Sequence, residues 1–427
     1  MKDIIEKILR DQRTEFLSAD YSQFVTRQEE QEIDLNSKLA QIVIGVRRCG
    51  KSTLCQKVLL ESKVNFAYVN FDDETLGSLQ TLQLNDVIEI LYRIYGSFTH
   101  LFMDEIQNAP SWPLFVNRLL RQGIHLVLTG SNANLLSGEL ATHLTGRYNE
   151  IRLFPFSFAE YCKINKLTTN RFTTKEMGLL LNALDKYLMR GGFPETIGMQ
   201  RQEKYINSLY AAVISKDICS RYNVRYKKTL QQMANSLLDH FCQELSYTRL
   251  KNDFQLNSVH TAMNYVSYLE NACLLRLVPK YSFKSIERQT RRKVYSIDNA
   301  FITDHDETLQ TQNLGWRLEN TIAIELIRRM EYYSQQLFYL GRNKSYEVDF
   351  CVVERNHVSQ LIQVTYDFAN PSVKLYNREI GGLLKGSAAT GCNNLTLIMM
   401  SGETGDLEVE GKTIRRVLAV DWLLGRV

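Results

Sequence analysis

Eight residues near the start of the chain, Gly45-Val46-Arg47-Arg48-Cys49-Gly50-Lys51-Ser52, place two glycines, a lysine and a hydroxyl at the spacing G-x-x-x-x-G-K-[ST]. Glycines at these positions let the backbone curl until successive N–H groups face phosphate oxygens. A lysine at the end of such a loop reaches β- and γ-phosphates, and the following hydroxyl can ligate Mg2+. The apolar run Ile42-Val43-Ile44 leads in as a strand. A helical run from Lys51 to about Leu60 leads out, with its positive end aimed at the same anion. The candidate cofactor-binding residues are therefore Gly45, Arg47, Arg48, Cys49, Gly50, Lys51, Ser52 and Thr53, with ATP and Mg2+ as ligands.

Two further stretches could complete a hydrolytic site. Leu101-Phe102-Met103 ends in Asp104-Glu105, an acidic pair at the tip of an apolar strand. Asp104 is suited to hold Mg2+ with Ser52, and Glu105 to orient and activate the attacking water. Leu128-Thr129-Gly130 then ends in Ser131-Asn132, where a small polar side chain could bond the γ-phosphate or the water. Either residue could also cap the next helix, and their spacing does not choose between them.

The elements that must position these groups alternate. Strand-like runs fall at Gln41–Val46, Asn65–Phe71, His100–Asp104, Ile124–Thr129 and Glu150–Phe154, with helical stretches such as Leu82–Tyr95 and Trp112–Arg121 between them. Such alternation predicts an α/β fold, a parallel sheet with helices on both faces and its ligand at the C-terminal strand ends. The 427 residues allow two to four domains, and 44% apolar with 23% charged residues is ordinary for a globular chain. A net charge of +4 permits an anionic partner without requiring one. The eight cysteines have no C-x-x-C spacing, which argues against a zinc site or a disulfide framework and suits a reducing cytoplasm. The N-terminus has no signal-peptide core and no apolar run is long enough to span a bilayer, so no membrane association is expected.

Taken in order, Asp104-Glu105-Ile106-Gln107, Thr129-Gly130-Ser131, Leu144-Thr145-Gly146-Arg147, Leu153-Phe154-Pro155-Phe156-Ser157-Phe158 and Arg190-Gly191-Gly192-Phe193-Pro194-Glu195 follow the phosphate loop. This series resembles prokaryotic AAA+-type P-loop ATPases that carry a C-terminal domain of unknown function. The resemblance implies an N-terminal helix and linker at 1–38, an ATPase core at 39–159 and a helical lid at 160–221. It also makes Arg147 a candidate arginine finger offered to a neighbouring subunit, hence a homo-oligomer, and Arg190 a candidate lid sensor of the γ-phosphate.

The same family carries a winged-helix module, here 222–310. Leu245 to Leu250 begins a short helix, Asn257 or Ser258 caps a second, and Leu274–Val278 with Lys293–Ile297 read as two short strands. In that fold the second helix presents His260, Asn264 or Ser267 to duplex DNA. Arg276 to Lys293, with seven basic residues against one acid, reads as a phosphate-contacting wing. A protein partner is the competing expectation. Asp304-His305-Asp306-Glu307 reads as a polar junction loop rather than a metal site.

Residues 311–427 resemble a restriction-endonuclease-like α/β domain. Glu319 and Asp349 match the helix acid and strand acid of an active member, but Gln363-Val364-Thr365 replaces the acid-x-Lys pair. Glutamine is a weak Mg2+ ligand and threonine has no charge. Unless Lys374 or Lys344 substitutes, the reading is a domain that has lost nuclease chemistry and kept a binding or structural role.

Overall fold

The computed structural model describes residues 1–19, 24–131, 146–170, 173–302, 313–330, 334–342 and 345–426. They form two compact units, Met1–Phe154 with Asn271–Cys273, and Pro155–Glu270 with Leu274–Val427. Asn132, Leu144-Thr145, Asp304 to Glu307 and Lys344 lie outside the described residues. No described helix is long and apolar enough to cross a membrane.

The first unit is built on strands β1 (Ala40–Ile44), β2 (Phe66–Asn70), β3 (His100–Asp104), β4 (His125–Gly130) and β5 (Tyr148–Arg152). All neighbours are parallel, in the order β2-β3-β4-β1-β5. Every residue of β1 and β3 is buried, as expected where both faces of a parallel sheet are covered. The covering helices include α1 (Lys2–Ser18), α2 (Lys51–Ser62), α3 (Leu84–Tyr95) and α4 (Trp112–Arg121). α3 and α4 bury Val87, Leu91, Phe115 and Leu119 at helical spacing, in one core with Ile5 and Leu9 of α1. α1 also reaches the sheet edge. The Gln12 amide donates to the Asn70 carbonyl at 2.9 Å and accepts from the Asn70 N–H at 3.0 Å.

The second unit begins with α5 (Phe158–Ile164), α6 (Thr174–Arg190) and α7 (Gln202–Ala212), the last running into a π-helical stretch, Val213–Ser220. Then come α8 (Lys227–Asp239), α9 (Tyr247–Asp253), α10 (Val259–Asn271) and the antiparallel strands β6 (Leu275–Pro279) and β7 (Arg292–Ser296), with α11 (Ser285–Thr290) between them. Ser246 and Ser258 accept hydrogen bonds from the N–H groups of Arg249 and Thr261, capping α9 and α10. The chain ends in α12 (Leu314–Met330), strands β8 (Gln335–Arg342), β9 (Tyr346–Glu354), β10 (His357–Asp367), α13 (Val373–Thr390), β11 (Leu395–Ser401), β12 (Gly405–Val409), β13 (Lys412–Leu418) and α14 (Ala419–Leu423). Its mixed sheet has the order β12-β13-β11-β10-β9-β8, parallel only at β10-β11 and β11-β13.

Within this unit the Arg190-Gly191-Gly192 stretch has a packing task. Asp298 accepts from the N–H of Gly192 at 2.9 Å and of Ala300 at 2.8 Å. Gly191 has φ +74°, and a Cβ there would lie 1.7 Å from Asp298 Oδ1. Gly191 is therefore what lets the end of α6 close on this carboxylate, while at Gly192 a Cβ would lie 2.2 Å from the Phe156 carbonyl oxygen. Burial pushes Asp298 up to about 6, despite these donors.

Candidate active site

β1 ends at Ile44, and the chain turns through Gly45 into a loop that closes at Gly50, φ +101°. Gly45 is fixed by space, since a Cβ would lie 2.2 Å from the Leu153 carbonyl oxygen. Arg48 holds φ +67° and is exposed, while Arg47 lies 3.7 Å from Asp72. The Cys49 thiol is buried, donates to the Leu153 carbonyl at 3.5 Å and is pushed up by desolvation, so it is held as a neutral group.

Lys51 opens α2, and its buried ammonium donates to the Gly45 and Val46 carbonyls at 3.2 and 3.3 Å. Ser52, one residue on, donates to Asp104 Oδ1 at 2.8 Å. The same carboxylate oxygen accepts from Thr129 at the end of β4, and Thr129 Oγ1 accepts from the Glu105 N–H at 3.0 Å. The strand order makes this convergence: β4 lies between β3 and β1, so its hydroxyl reaches the acidic pair at the end of β3. Glu105 lies 3.8 Å from the Lys51 ammonium, and Gln107 Nε2 donates to its other oxygen and to Ser131 Oγ, the latter at 3.4 Å. Its φ of +49° is sparsely populated by non-glycine residues and stores about 1–3 kcal/mol of strain.

The two carboxylates are pushed apart. Burial, then repulsion from Glu105, raises Asp104 to about 6. Burial also pushes Glu105 up, but the Lys51 ammonium and the Gln107 amide outweigh it and hold the group below its usual range. An ionised Glu105 and an under-neutralised Asp104 beside a serine hydroxyl form an oxygen set that a hard cation fits.

The structure thus brings together Gly45, Gly50, Lys51, Ser52, Asp104, Glu105 and Ser131, with Thr53 in the first turn of α2. Arg147 is exposed just before β5 and donates to Asn117 at 2.7 Å. Arg190 is exposed in the last turn of α6, in the second unit. Thr129 and Gln107 were not singled out from the sequence. A threonine one residue before the glycine that closes the neighbouring strand was the available signal for the first.

The second unit holds another charged cluster. The Lys293 ammonium on β7 lies 3.1 Å from Glu319 on α12, 2.6 Å from Glu347 and 3.7 Å from Asp349 on β9. Tyr295 donates to the same Glu319 oxygen at 2.9 Å, and Asp349 Oδ2 accepts from the Val364 N–H at 2.9 Å. Gln363 accepts from the Asp349 N–H at 3.3 Å. Burial and the Glu319 charge push Asp349 well up, while desolvation of Lys293 is outweighed by the three carboxylates, which keep it charged. Lys374 is exposed. The basic run Arg276 to Lys293 is also less available than its composition suggests, because Arg276, Lys280 and Lys293 are buried. Lys284, Arg288 and Arg291 are its exposed cations.

A family model described as AAA domain matches residues 37–162, and one described as a domain of unknown function, DUF8612, matches 181–309. The second match contains both Gly191-Gly192 and Asp298. A chain of Thermotoga maritima titled as the RuvB Holliday junction branch migration motor is 14% identical, covering 65% of this chain and 95% of its own, with a TM-score of 0.33 that carries no argument here. An uncharacterized protein of Haemophilus influenzae is 28% identical over 90% of this chain and 94% of its own length. The uncharacterized protein MJ1544 of Methanocaldococcus jannaschii is 33% identical over 82% of this chain and 81% of its own. At that identity and extent the chain belongs to the family of the Methanocaldococcus jannaschii protein, and it carries a P-loop domain of the AAA class.

Proposed function

We propose that the chain is a Mg2+-dependent ATPase whose nucleotide state controls contact with DNA or another macromolecule. The observation that carries this reading is the meeting of Ser52, Asp104 and Thr129 beside Lys51 and Glu105. The loop N–H groups and Lys51 would bind the phosphates, and Ser52 and Asp104 would hold Mg2+. The bound ion supplies charge neutralisation on the transferring phosphoryl group. Glu105, ionised and aimed by Gln107, would accept a proton from the attacking water, and Ser131, which accepts from the same Gln107 amide, would bond that water. Arg147 acts on a neighbouring subunit's nucleotide, which makes turnover depend on assembly.

The module of three helices and a two-stranded hairpin supports the DNA side of the reading as a winged helix. His260 and Ser267 are exposed on α10 and Asn264 is half-buried beside them, opposite the buried Ala262, Val266 and Leu269. Lys284, Arg288 and Arg291 then serve as phosphate contacts. The test is phosphate release from ATP with and without duplex DNA, with Glu105→Gln as control. Stimulation that the variant loses supports both halves. Turnover indifferent to DNA leaves the ATPase and favours a protein-interaction switch.

A further inference from the structure

The hairpin of β6 and β7 ends in an excursion, residues 281–291, that carries two large apolar side chains into solvent. Phe283 is 92% exposed, and Ile286 on α11 is 69% exposed. Single exposed apolar residues are common on protein surfaces. This pair differs in how it is mounted. The Lys280 N–H donates to the Arg291 carbonyl at 2.9 Å, which carries the hairpin one step past the Pro279–Arg292 pair and closes the base of the excursion. The Tyr281 N–H donates to the Tyr339 carbonyl of β8 at 2.7 Å. Phe338, Tyr281 and Phe283 then form a row of rings packed edge to face, with centroids 5.8 and 5.9 Å apart. The row begins at a buried ring and ends at the exposed one. Phe283 is braced from behind and open in front.

The charges around the pair select its occupant. Lys284, Arg288 and Arg291 are exposed on the same excursion. Its one acid, Glu287, is taken up by Lys280 at 3.9 Å and Lys284 at 4.0 Å, so the tip as a whole is positive. The fitting partner is a polyanion that also offers apolar surface between its charges. A DNA duplex has that character, with phosphates outside and base faces between its steps. Phe and Ile are side chains that enter such steps and unstack them. A lipid surface meets the charge equally well, but two apolar side chains bury too little to hold a chain on it.

We propose that Phe283 and Ile286 form a wedge that enters a base-pair step of duplex DNA, unstacking and bending it, while Lys284, Arg288 and Arg291 take the flanking phosphates. This deepens the reading of the hairpin module as a DNA-contacting one, and it rests on that reading. Phosphate contacts alone set position and affinity. A wedge adds a preference for places where the duplex opens easily, because the protein must otherwise supply the cost of unstacking. The chain would therefore settle at mismatches and flexible steps rather than at one base sequence. The ring row from Phe338 gives the wedge the backing it needs to push against stacked bases.

The test measures the affinity of the full-length chain for a fluorescent DNA duplex, either fully paired or carrying a central mismatch, across a range of salt concentrations. It is run without nucleotide and again with a non-hydrolysable ATP analogue, beside vesicles of phosphatidylserine and phosphatidylcholine. The parent should bind the mismatched duplex at least about tenfold more tightly in one of these states. The double variant Phe283→Ala with Ile286→Ala should lose that preference and keep the salt slope, since its phosphate contacts remain. Lys284→Ser with Arg288→Ser should do the converse, lowering the slope by about 2 and keeping the preference. All four side chains are exposed, so melting temperatures should match the parent's. Salt-dependent binding without the preference, or a preference that survives in the apolar variant, overturns the wedge and leaves the DNA reading standing. No salt-dependent binding to either duplex removes that reading and the wedge with it. Vesicle binding in place of duplex binding, lost in the apolar variant, also overturns the proposal and assigns the tip to a lipid surface.

Discussion

The two charged sites solve one problem in opposite ways. In the phosphate loop the lysine and hydroxyl are adjacent, Lys51 and Ser52, and the acids are adjacent, Asp104 and Glu105. Two short segments at the ends of β1 and β3, the strands on either side of β4, bring everything together. In the Lys293 cluster the lysine comes from the hairpin, one acid from a helix and two from a strand, and the closest sequence separation between Lys293 and an acid it meets is 26 residues. A site assembled from local pieces tolerates rearrangement around it. A site assembled from distant pieces exists only while the whole unit is packed.

The largest effect that would sharpen this contrast is Glu105→Gln. It should slow phosphate release by about 1000-fold, roughly 4 kcal/mol of transition-state stabilisation, with ATP binding retained. Equal loss of nucleotide binding would make Glu105 a folding residue instead. Next is Gly191→Ala, which forces a Cβ onto Asp298 at a positive φ and should cost about 3–4 kcal/mol in denaturant titration. A neutral result would mean that the clasp is not a packing constraint.

A smaller effect is set by pH. Asp298 has a pKa of about 6 in the fold against an ordinary 3.8, so the folded state holds the proton more tightly. Stability therefore falls as pH rises from about 4 to about 6, by up to about 3 kcal/mol. Urea midpoints of the parent and Asp298→Asn across that range should diverge in slope, the variant lacking this component. Parallel slopes would remove Asp298 as the titrating group. Smallest is Arg147→Ala, expected to slow turnover about tenfold at unchanged ATP affinity, and only at concentrations where the chain self-associates. A matching loss of affinity would end the finger assignment.

The phosphate loop, the acidic pair and the strands around them were legible because parallel strands buried on both faces read as apolar runs, and their ends carry the chemistry. His100–Asp104 and Trp112–Arg121 fall where their residue patterns put them. Thr129 was less visible, since a strand hydroxyl declares no partner until β4 is known to lie between β3 and β1. Lys293 was misjudged for a related reason. A lysine in a basic hairpin reads as solvent-facing, and the carboxylates that bury it lie further along the chain. The Arg190-Gly191-Gly192 stretch attracted attention for its arginine, whereas its glycines close on Asp298, a residue no local pattern connects to them.

The contact between Gln12 and Asn70 has a practical consequence for anyone shortening the chain. β2 is an outer strand of the parallel sheet, and a side-chain amide from α1 satisfies the donor and the acceptor that Asn70 would otherwise present to a neighbour. A protein cut to begin at the first strand would keep the phosphate loop intact yet leave that border open to pairing with another molecule. Such a fragment should self-associate through β2, and a full-length Gln12→Ala variant should show a milder form of the same tendency.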